Sequence, residues 1–211
     1  MDKDQLHGLL YEALETEKGG VLVYETALRC VINDELKEEF TEYLEQTRNH
    51  VKILLNVFKK LGLNPDLETP GRVVVRHTGL SLVRTMEIAL VSGKPQAAEI
   101  IAAECVVNAE TKDHANWELI GLISESLSGV EQQALKSAYE EVEDQEDEHL
   151  YHTMGWAREL RLQALQMEAQ LPPPEEVQDV KTAVAAARAK QERKTEVIQK
   201  KRNPKDEKRK R

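Results

Sequence analysis

The sequence predicts an all-α protein: a four-helix bundle of two antiparallel hairpins, with a crossover helix and a basic C-terminal tail. Three observations carry this. Aromatic residues are only 4% of the chain, while Ala, Leu, Glu, Lys and Gln dominate; these are helix formers, and sandwiches or barrels draw on aromatic and β-branched residues. Apolar residues recur at helical spacing in four long segments. The turn signals between them spell a hairpin, a long connection and a second hairpin, the layout of a bundle with one crossover. A length of 211 residues, 40% of them hydrophobic and 32% charged, favours one domain with a solvated surface.

The first helix is expected from about Asp4 to Ile32, with Leu6, Leu10, Ala13, Val21, Tyr24, Leu28 and Val31 at helical spacing. Asn33-Asp34 reads as a break and N-cap. The second helix follows from Glu35 to about Leu61, with Leu36, Phe40, Leu44, Thr47, Val51, Leu54 and Phe58 on one face, and is closed by Gly62 and Asn64-Pro65. The stretch NPDLETPGR reads as a loop, Arg72–Arg76 as a possible short strand with no evident partner, and His77–Val91 as a shorter crossover helix. The third long helix runs from Pro95 to about Leu127, with proline in its first turn. After Ser128-Gly129 the fourth runs from about Val130 to Gln170. The folded body is thus expected over residues 1–171, and residues 172–211, opened by three prolines, form a tail with too little apolar surface for a core and an expected flexible, partly disordered character.

Charge is unevenly spread. Residues 172–211 hold 13 Lys+Arg against 7 Asp+Glu, and residues 1–171 hold 16 against 31. An acidic body argues against nucleic-acid binding there, which leaves the basic tail as the one place for weak contact with nucleic acid or a membrane surface. Cys30 and Cys105 make no disulfide framework and no metal spacing, so free buried thiols are expected. MDKDQLHGLL lacks the regions of a signal peptide, and no apolar run approaches the ~20 residues that span a bilayer. The expectation is a cytoplasmic protein without a membrane span. No Gly-rich phosphate loop, G-x-S-x-G or kinase signature is present.

Polar residues interrupt the apolar stripes. At ~100° per residue, Glu17 falls within roughly 10–20° of the first stripe's centre, and Glu146 and His149, an E-x-x-H pair, straddle the fourth at about 30°. Glu110 and His114 lie in the third stripe with Ala103, Val107, Trp117 and Gly121, and His50 edges the second, one turn from Thr47. Depth agrees with direction. Glu17 lies 16 residues before position 33 and His50 17 after it; Glu110 lies 17 before position 127 and Glu146 19 after it. Antiparallel partners at equal distance from their turn share a level, so Glu17, His50, Glu110 and Glu146 form one layer with His114 and His149 within about one turn.

An unpaired carboxylate buried in a bundle costs several kcal/mol or shifts its pKa. Three carboxylates converging with imidazoles repel as anions, and two divalent cations resolve this. Mixed carboxylate and imidazole donors suit Fe, Mn or Zn. The metal ligands expected are Glu17, His50, Glu110, His114, Glu146 and His149.

The stretches ETEKGG around Glu17, DELKEEFTEYLEQTRNHVKILLNVFKKLG in the second helix and ETKDHANW from Glu110 give the chain a further likeness. Over roughly residues 4–165 it resembles the ferritin-like superfamily of di-iron and di-manganese carboxylate proteins, and is most similar to the bacterial stress-associated ferritin-like family of undefined function. The resemblance implies two divalent metal ions, Fe first and Mn second, reaction with peroxide or dioxygen, and a role in oxidative stress or iron handling, with peroxidase- or ferroxidase-like oxidoreductase activity. Glu17 and Glu110 would bridge, with His50 and His149 as terminal ligands. The chain departs from the family where the second helix usually carries E-x-x-H: Thr47 stands three residues before His50. Two alternatives remain: a metal-free or metal-structural bundle acting as an interaction scaffold, and a di-iron oxygenase acting on an organic substrate.

Other residues have plainer readings. Tyr24 is expected in the core; His7, His77 and His152 outside the layer; Glu104, Glu143 and Asp147 on its flanks. Glu143-x-x-Glu146 is a rival register to Glu146-x-x-His149. Ile101, Leu119 and Ile123 lie opposite the core stripe of the third helix and are expected to cover the crossover helix or a homodimer partner.

Overall fold

The computed structural model describes residues 2–170 and Pro174, and Met1–Ala169 form one compact unit. The expected tail from residue 172 lies outside the described residues, Pro174 apart. Five helices follow in order: α1 (Lys3–Cys30), α2 (Asp34–Leu61), α3 (Pro70–Val91), α4 (Pro95–Ser124) and α5 (Gly129–Ala164). There is no strand among the described residues. None of the helices described is long and apolar enough to cross a membrane.

Packing closes a ring of four. α1 packs on α2 and α4, and α5 packs on the same two; α3 lies outside the ring against α1 and α4. Local chemistry sets most helix ends. Asp2 caps α1 by accepting from the amides of Asp4 and Gln5, and Asn33 caps α2 by accepting from that of Leu36. Gly62 ends α2 in the left-handed region at φ 68°, where a Cβ is disfavoured. The buried Glu99 of α4 accepts from the amides of Ile32 and Asn33, at 2.9 and 2.6 Å, and so ties the first hairpin's turn to the second hairpin.

Three boundaries differ from the sequence expectation. α3 begins at Pro70, so Arg72–Arg76 is helix and not strand. Thr69 caps it through the Arg72 amide, Pro70 occupies the first turn, and the buried Arg72 binds Glu15 and the carbonyls of Pro65 and Leu67. Capping and tertiary anchoring together override the β-branched run. α4 ends at Ser124, and α5 ends at Ala164, six residues short of Gln170, just before Gln166 adopts φ 59°. Of the three apolar residues on the far side of α4, Ile101 and Ile123 pack against the core and Leu119 stays exposed.

The apolar core falls into two parts. One gathers Leu10, Leu14, Leu54, Phe58, Trp117 and Leu135; the other gathers Val23, Tyr24, Phe40, Tyr43, Met86 and Leu160. On each of the four ring helices the break between the two parts falls where the polar layer sits.

Candidate metal centre

Glu17 on α1, His50 on α2, Glu110 on α4, and Glu146 and His149 on α5 are all buried and converge. Two groups form. Glu17, His50 and Glu146 bring ligand atoms within 4.8 Å of one another, and so do Glu110, Glu146 and His149. Each group can hold a metal ion. Glu146 belongs to both, whereas Glu17 and Glu110, expected as the bridging pair, each belong to one.

Both imidazoles point Nδ1 into the cluster. His50 Nδ1 lies 3.0 Å from Glu146 Oε1 and 3.4 Å from Glu17 Oε1. His149 Nδ1 lies 3.5 Å from Glu110 Oε2 and 3.8 Å from Glu146 Oε1. Their outer nitrogens are engaged elsewhere: His50 Nε2 with Gln145 Oε1 at 2.8 Å, and His149 Nε2 with Gln46 Oε1 at 2.6 Å. Trp117 Nε1 donates to Glu17 Oε1 at 2.7 Å, which leaves Glu17 Oε2 directed into the layer with no partner.

Among the described residues, the buried side-chain atoms without a hydrogen-bond partner are Glu17 Oε2, Tyr24 Oη, His50 Nδ1, Glu110 Oε2, Asp113 Oδ1, Glu146 Oε2 and His149 Nδ1. All belong to this one layer. Orphaned buried polar atoms are rare because each forfeits its hydration without compensation, and a cluster of lone pairs facing one point is the arrangement a cation satisfies. No Lys or Arg pairs with any of the four carboxylates among the described residues.

The electrostatics express the same shortage of positive charge. Burial, aided by Glu17 and Glu110 and opposed by His50, raises the Glu146 carboxyl to about 7. Burial and then the charges of Glu17, Glu146 and Glu110 push Asp113 well above its ordinary value. Burial by itself would lower His50, but Glu17 and Glu146 outweigh it and raise the ring to about 11. His149 is raised in the same way, chiefly by Glu110 acting against burial. Tyr24 is pushed up by burial and by the neighbouring Glu110.

His114 does not join the cluster. Its Nε2 lies 2.7 Å from Asp147 Oδ1, so the pair ties α4 to α5 at the edge of the layer. His114 sits one residue beyond Asp113, and the ~100° step turns it from the centre to the seam. Asp113 is the residue the sequence reading missed. It is 4% exposed and neighbours Glu17. The available signal was its spacing: it follows Glu110 by three residues, as His149 follows Glu146. His152 lies outside the layer, 55% exposed, with Nδ1 3.0 Å from the Tyr43 hydroxyl. Cys30 and Cys105 are free and buried, as expected.

Thr47 is buried and offers no ligand. Its hydroxyl donates to the Tyr43 carbonyl at 2.8 Å, and its methyl fills the space beside Gly20, where a Cβ would meet Thr47 Cγ2 at 3.2 Å. Comparison with protein-family models, curated proteins and solved structures finds no match to this chain.

Proposed function

We propose that this layer holds two divalent metal ions, Fe first and Mn second, and that the protein is a ferritin-like di-metal carboxylate protein acting on peroxide or dioxygen in oxidative stress or iron handling. The observation that carries the reading is that five of the seven orphaned buried polar atoms among the described residues belong to two ligand groups that share Glu146. Carboxylate oxygens with imidazole nitrogens form a donor set suited to Fe, Mn or Zn. The bound metals would supply the redox chemistry, giving electrons to peroxide or dioxygen.

The chain's own residues do the rest. Glu146 is the shared carboxylate; Glu17 with His50 and Glu110 with His149 complete the two sides. Asp113 adds a further carboxylate on the Glu17 side. Trp117 holds Glu17 by one oxygen and leaves the other free. The two apolar parts of the core exclude water above and below the layer, which strengthens every interaction inside it. Thr47 offers no carboxylate where the family pattern has one, so the metals would be held by fewer protein oxygens than in that pattern.

A second reading, an oxygenase acting on an organic molecule, is favoured by one feature. A cavity of about 350 Å³ opens between α1, α3 and α4, lined mostly by apolar atoms from residues such as Val23, Val75, Leu82 and Ala109. Thr16 and Ala109 of its wall are the chain neighbours of Glu17 and Glu110.

The test is elemental analysis of protein purified without chelator, reported as metal per chain, followed by peroxide and oxygen consumption by the Fe(II)-loaded protein. About two metals per chain with consumption of either oxidant supports the reading. Retention of no Fe, Mn or Zn under any loading would leave the bundle as an interaction scaffold.

A further inference from the structure

Two five-residue segments of the sequence match in an unexpected way: Gln46-Thr-Arg-Asn-His50 on α2 and Gln145-Glu-Asp-Glu-His149 on α5. In each, glutamine precedes histidine by four residues, which places the two side chains on one face of their helix, one turn apart. Neither glutamine serves the histidine of its own helix. Gln145 of α5 reaches His50 of α2 at 2.8 Å, and Gln46 of α2 reaches His149 of α5 at 2.6 Å. Both meet the ring at Nε2 through Oε1. Gln46 Nε2 faces Glu42 Oε1 at 3.4 Å, which agrees with an amide that turns its oxygen towards His149.

We propose that Gln46 and Gln145 are positioning residues that lock the opposite helix's imidazole with its proton on Nε2, so that Nδ1 is the atom each ring presents to the buried cluster. An amide oxygen only accepts, so Nε2 must donate. With Nε2 committed as a donor, Nδ1 is the nitrogen that can give up its proton and offer a lone pair when a cation takes the proton's place. Nδ1 faces Glu17 and Glu146 for His50, and Glu110 and Glu146 for His149. The exchange also ties ring orientation to the α2–α5 seam: a slip of one helix past the other would release both rings together. His149 is further confined by the Tyr43 ring, 4.2 Å away between centroids. This inference rests on the metal reading for what Nδ1 presents itself to, but the crossed pairing is testable without metal.

The experiment uses the full chain, labelled with 15N, and follows the Nε2–H resonances of the imidazoles, which stay visible only while hydrogen-bonded and shielded from solvent. In the metal-free wild type both His50 and His149 are expected to show one. Gln46→Leu should remove the His149 resonance and keep that of His50; Gln145→Leu should do the converse. Gln46→Glu keeps an acceptor and should restore the His149 resonance, which guards against a leucine variant that merely folds poorly. Zn(II) affinity, measured by competition with a chelator, should fall roughly 10–100-fold in each leucine variant and recover in Gln46→Glu. Loss of the resonance of the histidine on the same helix, retention of both resonances in both variants, or unchanged Zn(II) affinity once the resonance is gone would each overturn the proposal. A wild type that takes up no metal while the crossed pattern holds would overturn the metal reading and leave the pairing intact.

Discussion

Two buried carboxylates, Glu15 and Glu17, sit within a turn of each other on α1, and the chain treats them in opposite ways. Glu15 is matched by cations of its own chain: Arg72 Nη2 lies 2.7 Å from it and Arg76 Nε 2.5 Å. Burial pushes the Glu15 carboxyl up, but Arg76 and Arg72 outweigh it and hold it below its ordinary value. Glu17, two residues on, joins Glu110, Asp113 and Glu146 in a layer with no Lys or Arg partner among the described residues, where Asp113 and Glu146 are pushed up. The Glu15 clamp fastens α3 to α1 and is complete as it stands. It shows what this chain does with a carboxylate that has a structural task. Against that example the layer sets four carboxylates against two imidazoles and no Lys or Arg among the described residues; that shortage of positive charge serves no packing purpose and supports the proposed metal site.

The comparison breaks most directly at its structural end. Arg72→Ala should destabilise the protein by about 3 kcal/mol, because it strips a buried carboxylate of one guanidinium and two carbonyls of their donor. The loss should be the same with chelator and with excess metal, read from denaturation curves under both conditions.

At the other end, the effect should depend on metal. Glu146→Gln removes the carboxylate common to both ligand groups, so metal per chain should fall close to zero, whereas Glu17→Gln should empty one group and halve it. Each variant should lose stability relative to wild type only in the presence of metal, by up to roughly 2.7 kcal/mol at a hundredfold excess over the dissociation constant. With chelator the order should reverse, because one fewer converging anion relieves the layer. Equal destabilisation of Glu17→Gln in both conditions would make Glu17 a paired structural carboxylate like Glu15.

The two regions should also titrate in opposite directions. Glu15 has a lowered pKa, so its contribution is present above its ordinary value and is lost as pH falls through the lowered one. Glu146 is raised to about 7, so its contribution is present below its ordinary value and is lost as pH rises through about 7. His50, raised to about 11, works in the same direction over a higher range, from its ordinary value upwards. The metal-free protein should therefore lose thermal stability between about pH 5 and about pH 8, and Glu146→Gln should flatten that slope. With Mn(II) present the slope should shrink or invert, because the ligands bind metal in place of protons. Melting temperatures across pH with and without Mn(II) measure this.

The smallest expected effect is Thr69→Ala, which removes the cap at the start of α3 next to Arg72. It should cost about 1 kcal/mol, independent of metal, and leave metal per chain unchanged.

Much of this was legible in one dimension. The four long helices follow from apolar periodicity, and the first turn from Asn33. The layer of Glu17, His50, Glu110 and Glu146 follows from two separate measures, angle around each helix and distance from each turn, which a regular helix makes linear in residue number. His149 follows from its three-residue spacing to Glu146. The misses have physical causes. Arg72–Arg76 resembles a strand by propensity, and the Thr69 cap together with the Arg72 contacts, Glu15 of α1 among them, makes it helix. Asp113 and His114 are adjacent in sequence, yet one faces the centre and the other the seam with Asp147; they lie ~100° apart, and an error of about half that step in placing the α4 stripe exchanges them. The α5 end was placed too late because the helical pattern continues past Leu165, where the backbone turns.

The sequence by itself therefore determined the all-helical class, the hairpin order and the level at which the carboxylates and imidazoles meet, because helix geometry converts residue spacing into direction and height with no reference to the rest of the chain. Only the tertiary structure decided that Glu146 is the carboxylate shared by both ligand groups, that Gln46 and Gln145 exchange histidines across the α2–α5 seam, and that Glu15 finds arginines while Glu17 finds none. Those are facts about pairs on different helices, and pairing is set by how the helices rotate and slide against each other when the core packs, a degree of freedom that no single helix carries in its own periodicity.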